Sequence, residues 1–85
     1  MKHAGPEALT SLEDVLSVVR QREDLTERKP GIFYRKSNAF LHFHEDPAGL
    51  FADIKVGKAF ERMRASTPAE RIALLACVED TLGPA

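Results

Sequence analysis

The feature that most constrains the fold is an alternation of apolar and polar residues on both sides of the turn at positions 46–49, Asp-Pro-Ala-Gly. β-Branched and aromatic residues with a period of two, bounded by turn residues, predict two strands, Ala39–Glu45 and Leu50–Val56. If Glu45 faces Leu50 across this hairpin, one register sorts every side chain sensibly. The pairing predicts a sheet with one apolar face and one mixed face.

A preceding strand, Gly31–Lys36, ends at a predicted turn, Ser37-Asn38, and extends both faces. The apolar face receives Ile32, Tyr34, Leu41, Phe43, Ala52 and Ile54. The mixed face receives Phe33, Arg35, Phe40, His42, His44, Phe51, Asp53 and Lys55. We expect the apolar face to pack against helices, which leaves the mixed face available for function.

Helical periodicity marks both ends of the chain. An N-terminal apolar stripe repeats at intervals of three and four residues and consists of Leu9, Leu12, Val15, Leu16 and Val19. The helix that carries it begins either at Pro6 or after a cap at Thr10 or Ser11. Thr67, Pro68 and Glu70 predict the start of a second helix, which Gly83-Pro84 ends. Its predicted buried stripe is Ile72, Leu74, Leu75, Val78 and Leu82, with Cys77 outside it.

These elements predict an α+β fold in the order α-β-β-β-(β)-α. Two layers are expected, with an antiparallel three- or four-stranded sheet and both helices on one of its faces. Phe60–Ala65 is the fourth strand, although its composition also permits a helical turn. The 85 residues suffice for one domain, in which residues 1–6 are expected to be flexible.

Composition narrows the setting. No apolar run approaches the ~20 residues that span a bilayer, no signal peptide is recognisable, and Cys77 is the single cysteine. A reducing cytoplasm fits these features best. The net charge of −1 hides a division, since residues 28–66 carry eight basic and four acidic side chains whereas the remainder carries four basic and nine acidic.

The densest cluster of chemical groups is His42, His44 and Asp53. Two histidines two residues apart point to the same side of a strand, and the register places Asp53 opposite His42. One interpretation is a site for zinc or iron, in which water can be a further ligand. The alternative is that these are half-exposed sheet histidines, with Asp53 accepting a hydrogen bond from His42 or lying beside Lys55.

Three phenylalanines on the mixed face, Phe33, Phe40 and Phe51, predict that something covers it. A second copy of the chain is the simplest cover, so a homodimer is expected; otherwise the Arg28 segment or the fourth strand folds over the face. With Arg35 and Lys55 the aromatics also permit single-stranded nucleic-acid binding. A pI near 6.3 and the lack of an RNP-type aromatic signature count against that interpretation.

Support for an enzyme is thin. Cys77 has no neighbouring histidine in sequence, the paired carboxylates Glu13-Asp14, Glu23-Asp24 and Glu79-Asp80 are typical of solvated helix surfaces, and no glycine-rich phosphate loop occurs. No catalytic residue and no cofactor is predicted. The function favoured by the sequence is an association module that pairs with itself, with metal or small-ligand binding and nucleic-acid binding as alternatives.

The segment Phe40–Asp53 resembles small uncharacterised bacterial proteins of about this size, which share a His-x-His strand, a turn and an Ala-Asp strand. The resemblance extends over about Pro30 to Asp53 and the closing helix. It implies neither an activity nor a cofactor, and it draws attention to His42, His44 and Asp53.

Overall fold

The computed structural model describes residues 1–84, in which helices pack on one antiparallel sheet. The elements are β1 (Lys2–His3), α1 (Pro6–Ser11), α2 (Glu13–Val19), β2 (Thr26–Lys29), β3 (Ile32–Arg35), β4 (Asn38–Asp46), β5 (Gly49–Val56), β6 (Ala59–Arg64) and α3 (Pro68–Leu82). The strand order is β2-β3-β4-β5-β6, and β1 pairs with the later half of β4. The predicted α+β class is confirmed, with six strands in the described residues rather than three or four.

The central hairpin has the predicted register. Glu45 faces Leu50 and Phe43 faces Ala52 in the β4–β5 ladder. The apolar side chains of this hairpin, Leu41, Phe43, Ala52 and Ile54, are at most 1% exposed. The fourth predicted strand is present as β6, which pairs with β5 from Phe51 to Val56.

A β-bulge interrupts the β3–β4 ladder. Tyr34 pairs with Ala39, but its neighbour Phe33 pairs with Leu41. Phe40 is therefore an extra residue on β4 without a partner on β3. An extra residue on one strand exchanges the two faces for every side chain beyond it, because the side-chain period of a strand is two.

Because of the bulge, five residues lie on the face opposite to the one predicted. Arg35, expected on the mixed face, is two residues from Phe33 and lies on the helix side, in the same depression as Thr81 of α3. Phe33, expected on the mixed face, lies with Leu41 in the core at 1% exposure, and Phe40 is also in the core at 4%. Ile32 and Tyr34, expected on the apolar face, line the same depression as His42. Regular alternation gives the wrong face because a bulge leaves little trace in the local pattern of hydrophobic residues.

Two tight turns fix β2, β3 and β4. The first turn has Pro30 and Gly31 at its centre, since Lys29 pairs with Ile32. The φ of Gly31, +77°, suits the second central position of a type II turn. The second turn has Lys36 and Ser37 at its centre, since Arg35 pairs with Asn38. The predicted Ser37-Asn38 turn was one residue late.

Two edge strands were absent from the prediction. β2 reads Thr-Glu-Arg-Lys and shows no alternation of apolar and polar residues. It is held by side chains, since the Glu27 carboxylate accepts hydrogen bonds from the backbone of Gly31 (2.9 Å) and from Arg20 (2.7 Å). β1 brings Lys2 and His3, which we had expected to be flexible, into the sheet opposite Glu45 and His44.

The helices close the apolar face. The N-terminal helix is divided at Leu12 into α1 and α2, and Leu12, Val15, Leu16 and Val19 are at most 1% exposed. The predicted capping box of α3 is present: Thr67 Oγ1 accepts the Glu70 N–H at 3.2 Å, and the Glu70 carboxylate accepts the Thr67 N–H at 3.0 Å.

One residue of the predicted α3 stripe is misplaced. Leu74, Val78 and Leu82 are buried at a spacing of four, but Ile72 is 69% exposed. Two residues correspond to about 200° around a helix, so Ile72 projects away from the face that carries Leu74. None of the helices in residues 1–84 has both the length and the apolarity needed to cross a membrane.

Candidate metal centre

Three histidines meet on the face of the sheet opposite the helices. β4 directs His42 and His44 to this face because they are two residues apart, and β1 brings His3 directly opposite His44. One nitrogen from each ring lies within 4.8 Å of the nitrogens of the other two. The chain contains three histidines in all, so this histidine cluster uses every one of them.

The rings pack against one another. The ring centroids of His3 and His44 are 4.8 Å apart in a stacked arrangement. His42 stands edge-on to both, with centroids 5.9 Å from His3 and 5.7 Å from His44. Phe60 of β6, 43% exposed, also packs against His42, with the two ring centroids 5.0 Å apart.

His44 is the most enclosed member of the histidine cluster. Its side chain is 12% exposed, and among residues 1–84 neither ring nitrogen has a hydrogen-bond partner. Nε2 lies 3.3 Å from Asp53 Oδ2 and the backbone of Lys2 is close, but neither approach has hydrogen-bond geometry. Buried polar atoms in proteins are usually satisfied, and one left unpaired costs about 1–3 kcal/mol.

Asp53 is occupied by another partner. Arg62 grips its carboxylate with two hydrogen bonds, Nε to Oδ1 at 2.8 Å and Nη2 to Oδ2 at 2.9 Å. The Arg62 guanidinium beside Asp53 holds the pKa of that carboxyl below its usual value. Asp53 is thus a fixed anion beside His44.

Burial disfavours the charged form of two members of the histidine cluster. The pKa of His42 and the pKa of His44 are both below the usual 6.5, chiefly for this reason. The neighbouring imidazoles lower both pKa values further, whereas Asp53 acts in the opposite direction. At neutral pH the rings of His42 and His44 keep a free lone pair, which is the form that binds a metal ion.

The ring nitrogens are close enough to meet on one metal ion once the rings turn, since His3 and His44 are stacked and an imidazole binds a metal in the plane of its ring. Nitrogens bound to tetrahedral zinc at 2.0–2.1 Å lie about 3.3 Å from one another. The 4.8 Å limit in the histidine cluster therefore leaves about 1.5 Å for the side chains to close. Three imidazoles would leave a fourth tetrahedral position open, as in zinc sites that keep a water molecule.

A depression of about 380 Å³ opens beside the histidine cluster. We call it the basic depression; it is lined by His3, Arg28, Lys29, Ile32, Tyr34, Ala39 and His42. Two members of the histidine cluster thus form part of its wall, and its remaining charged residues are both cations.

The predicted site residues fall into three groups. His42, His44, Phe51 and Asp53 come together on the open face, where Phe51 lies 5.0 Å from the Arg64 guanidinium. Phe33 and Phe40 belong to the core. Arg35 and Lys55 line a different depression, together with Thr81 of α3, although Lys55 also lies opposite Phe60 in the β5–β6 ladder.

The sequence analysis missed His3. Its partner His44 is 41 positions further along the chain, and a two-residue strand carries no periodicity. One signal could have identified it. His3 is the only histidine outside the His-x-His strand, and it lies close enough to the N-terminus to reach the sheet as an added strand.

Phe33 and Phe40 are not on the open face, and this weakens the predictions of self-association and of base stacking. Both predictions used three exposed phenylalanines as anchors, and two of these are buried in the core. They stay as predictions that now depend on Phe51 and Phe60.

Comparison with protein-family models, with curated proteins and with solved structures found no match for this chain.

Proposed function

We propose that this protein binds one divalent transition-metal ion through the imidazoles of His3, His42 and His44. The observation that carries the proposal is the convergence of all three histidines of the chain on one patch of sheet, with both nitrogens of His44 buried and unpartnered. A bound ion would satisfy a nitrogen that otherwise remains without a hydrogen bond.

Zinc is the ion that we assign to the site. Imidazole suits zinc, copper, nickel and iron, and an all-nitrogen set without thiolates excludes the sulfur-rich sites that prefer Cu(I) or iron–sulfur clusters. Zinc accepts three imidazoles in tetrahedral geometry and requires no charged ligand from the protein. Copper binds more tightly in general, so selectivity in a cell would follow metal availability.

Asp53 has an outer role in this proposal. Its carboxylate is held by Arg62 and lies beside Nε2 of His44. A carboxylate that accepts a hydrogen bond from the uncoordinated nitrogen of a ligating histidine orients the ring and increases its basicity. We expect Asp53 to orient His44 rather than to contact the ion.

The test uses protein without a histidine tag, freed of metal by a chelator. Calorimetric titration with Zn²⁺ and visible absorption with Co²⁺ should both give one ion per chain, with the Co²⁺ spectrum of a tetrahedral site. His3→Ala, His42→Ala and His44→Ala should each lose the site. Cys77→Ala is the matched control, since it removes the only thiol and should leave binding unchanged.

Asp53→Asn separates a ligand from an orienting residue. As an outer partner it should weaken Zn²⁺ binding by about 10–100-fold without changing the Co²⁺ ligand-field spectrum. Asp53→Asn also releases the Arg62 guanidinium. Arg62→Gln, which removes that guanidinium, tests whether its release causes the weaker binding. Absence of binding by the wild type, or binding that survives all three single histidine substitutions, would overturn the proposal.

A further inference from the structure

We infer that the basic depression binds a small organic carboxylate whose oxygen completes the coordination of the metal ion. This inference rests on the proposed function, because the ion is one of the groups that would hold the ligand. It names the class of the fourth ligand and the residues that recognise it.

The charges around the basic depression favour an anion. Arg28 and Lys29 form its cationic wall, and no carboxylate lines it. Within residues 1–84 neither cation forms an ion pair with an acidic side chain. Most of the other arginines are already paired, for example Arg20 with Glu27 and Arg62 with Asp53.

A bulge directs Arg28 toward the basic depression. Glu27 pairs with Phe33 and Lys29 pairs with Ile32, so Arg28 is the extra residue of β2 and has no partner on β3. Bulges re-aim side chains and recur beside functional sites. The guanidinium lies 4.5 Å over the ring of Tyr34, and its Nη2 donates only one long hydrogen bond, 3.5 Å, to the carbonyl oxygen of Lys36.

The other N–H groups of the Arg28 guanidinium can therefore donate to a ligand, and their planar arrangement matches the two oxygens of a carboxylate. His3 and His42, which would hold the ion, line the same depression as Arg28. A carboxylate bound there would place one oxygen on the metal and direct the other to Arg28. Ile32 and Tyr34 supply an apolar surface for the organic part of the ligand.

The size of the basic depression agrees with this class of ligand. Sites for small molecules commonly measure about 300–1,000 Å³, and the 380 Å³ found here is at the lower end. A carboxylate that carries one ring or a short alkyl chain fits within that volume. We choose benzoate as the probe because its ring can contact Tyr34 and Ile32.

The experiment titrates benzoate into Co²⁺-loaded wild-type protein and follows the ligand-field absorption. A saturable spectral change is expected, since replacing bound water by a carboxylate alters the field at the ion. Benzyl alcohol, which has the same ring without the charge, should produce no saturable change at the same concentrations.

Two arginine variants make the assignment specific. Arg28→Gln should weaken benzoate binding about tenfold or more while Co²⁺ affinity stays unchanged, because a charge-assisted bond to the carboxylate is lost. Arg35→Gln is the matched control: it removes the same charge from the neighbouring strand but from around the other depression, and it should have no effect.

The outcomes are distinguishable from those of the metal test. If Co²⁺ binds but benzoate leaves the spectrum unchanged, or if Arg28→Gln binds benzoate as well as the wild type, this inference is overturned and the metal site stands. Equal benzoate affinity with and without metal would also overturn it, because coordination would then contribute nothing. Failure of Co²⁺ to bind overturns both.

Discussion

The two faces of β4 differ in what they contribute to the protein. On one face Leu41 and Phe43 are at most 1% exposed and pack among the helices. On the other, His42 and His44 lie under partial cover, and the nitrogens of His44 have no hydrogen-bond partners within residues 1–84. One strand thus stabilises the fold on one side and carries an imidazole with unpaired nitrogens on the other.

The largest effect is expected on the core face. Phe43→Ala removes a ring that contacts Phe33 at 6.5 Å between centroids, and such truncations cost about 3–5 kcal/mol. That is a large part of the stability of a small domain. Denaturant unfolding followed by circular dichroism should show a transition shifted to much lower denaturant.

Ile72→Ala is the matched control for that variant. Ile72 is 69% exposed on α3, so its truncation should change stability by about 0.5 kcal/mol or less. Equal losses for the two substitutions would contradict the division between a structural face and a free surface.

The second effect is the stabilisation of the folded protein by a metal ion bound on the histidine face. An ion that binds only the folded chain stabilises it by about 2.7 kcal/mol when its free concentration is 100 times the Kd. Zn²⁺ should therefore raise the unfolding midpoint of the wild type, and a chelator should reverse the change.

The same addition to His42→Ala should leave the midpoint where it is. If Zn²⁺ stabilised both proteins equally, the histidine face would not be the site at which the metal acts.

A third, smaller effect is a gain in stability, whereas most substitutions lower the free energy of unfolding. His44→Leu replaces a buried ring with unpaired nitrogens by an apolar side chain, so the metal-free protein should gain up to about 1 kcal/mol. Metal binding should be lost at the same time. Thermal unfolding of the metal-free wild type and variant measures the first effect, and Co²⁺ absorption measures the second.

A loss of several kcal/mol in metal-free His44→Leu would show that His44 supports the fold. It would then belong with Leu41 and Phe43 in the comparison of the two faces.

The smallest effect is an acid sensitivity that lies outside both faces of β4. The Arg20 guanidinium beside Glu27 holds the pKa of that carboxyl below 4.5. The unfolded chain therefore takes up the proton first, and the stabilisation from Glu27 is complete above pH 4.5 and is lost as the pH falls through the folded-state pKa.

Glu27→Gln should accordingly show a shallower loss of stability below pH 4.5 and a slightly lower stability at neutral pH. Urea unfolding across that pH range measures both. An acid limb identical to that of the wild type would mean that the Arg20–Glu27 pair does not contribute to holding β2.

The difference between the faces also bears on what could be predicted. The β4–β5 register followed from the sequence because one pairing satisfied all the alternating residues at once, and it placed His42 opposite Asp53 correctly. The bulge at Phe40 was not predictable in this way, since a strand of mixed aromatic and aliphatic residues reads equally well with or without an extra residue.

Asp53 illustrates the same limit within the candidate site. Its position opposite His42 followed from the register, but its two hydrogen bonds to Arg62 depend on where β6 lies. The β5–β6 ladder places Asp53 opposite Arg62, and this pairing decides that the carboxylate is already engaged.

The α+β class, the central hairpin and the capped C-terminal helix followed from the amino-acid sequence, because they depend on local periodicity, turn residues and capping side chains. The meeting of His3 with His42 and His44, and the burial of Phe33 and Phe40, became visible in the folded chain alone. Edge-strand pairing and bulges are set by backbone hydrogen bonds between distant segments, which no local pattern of side chains encodes.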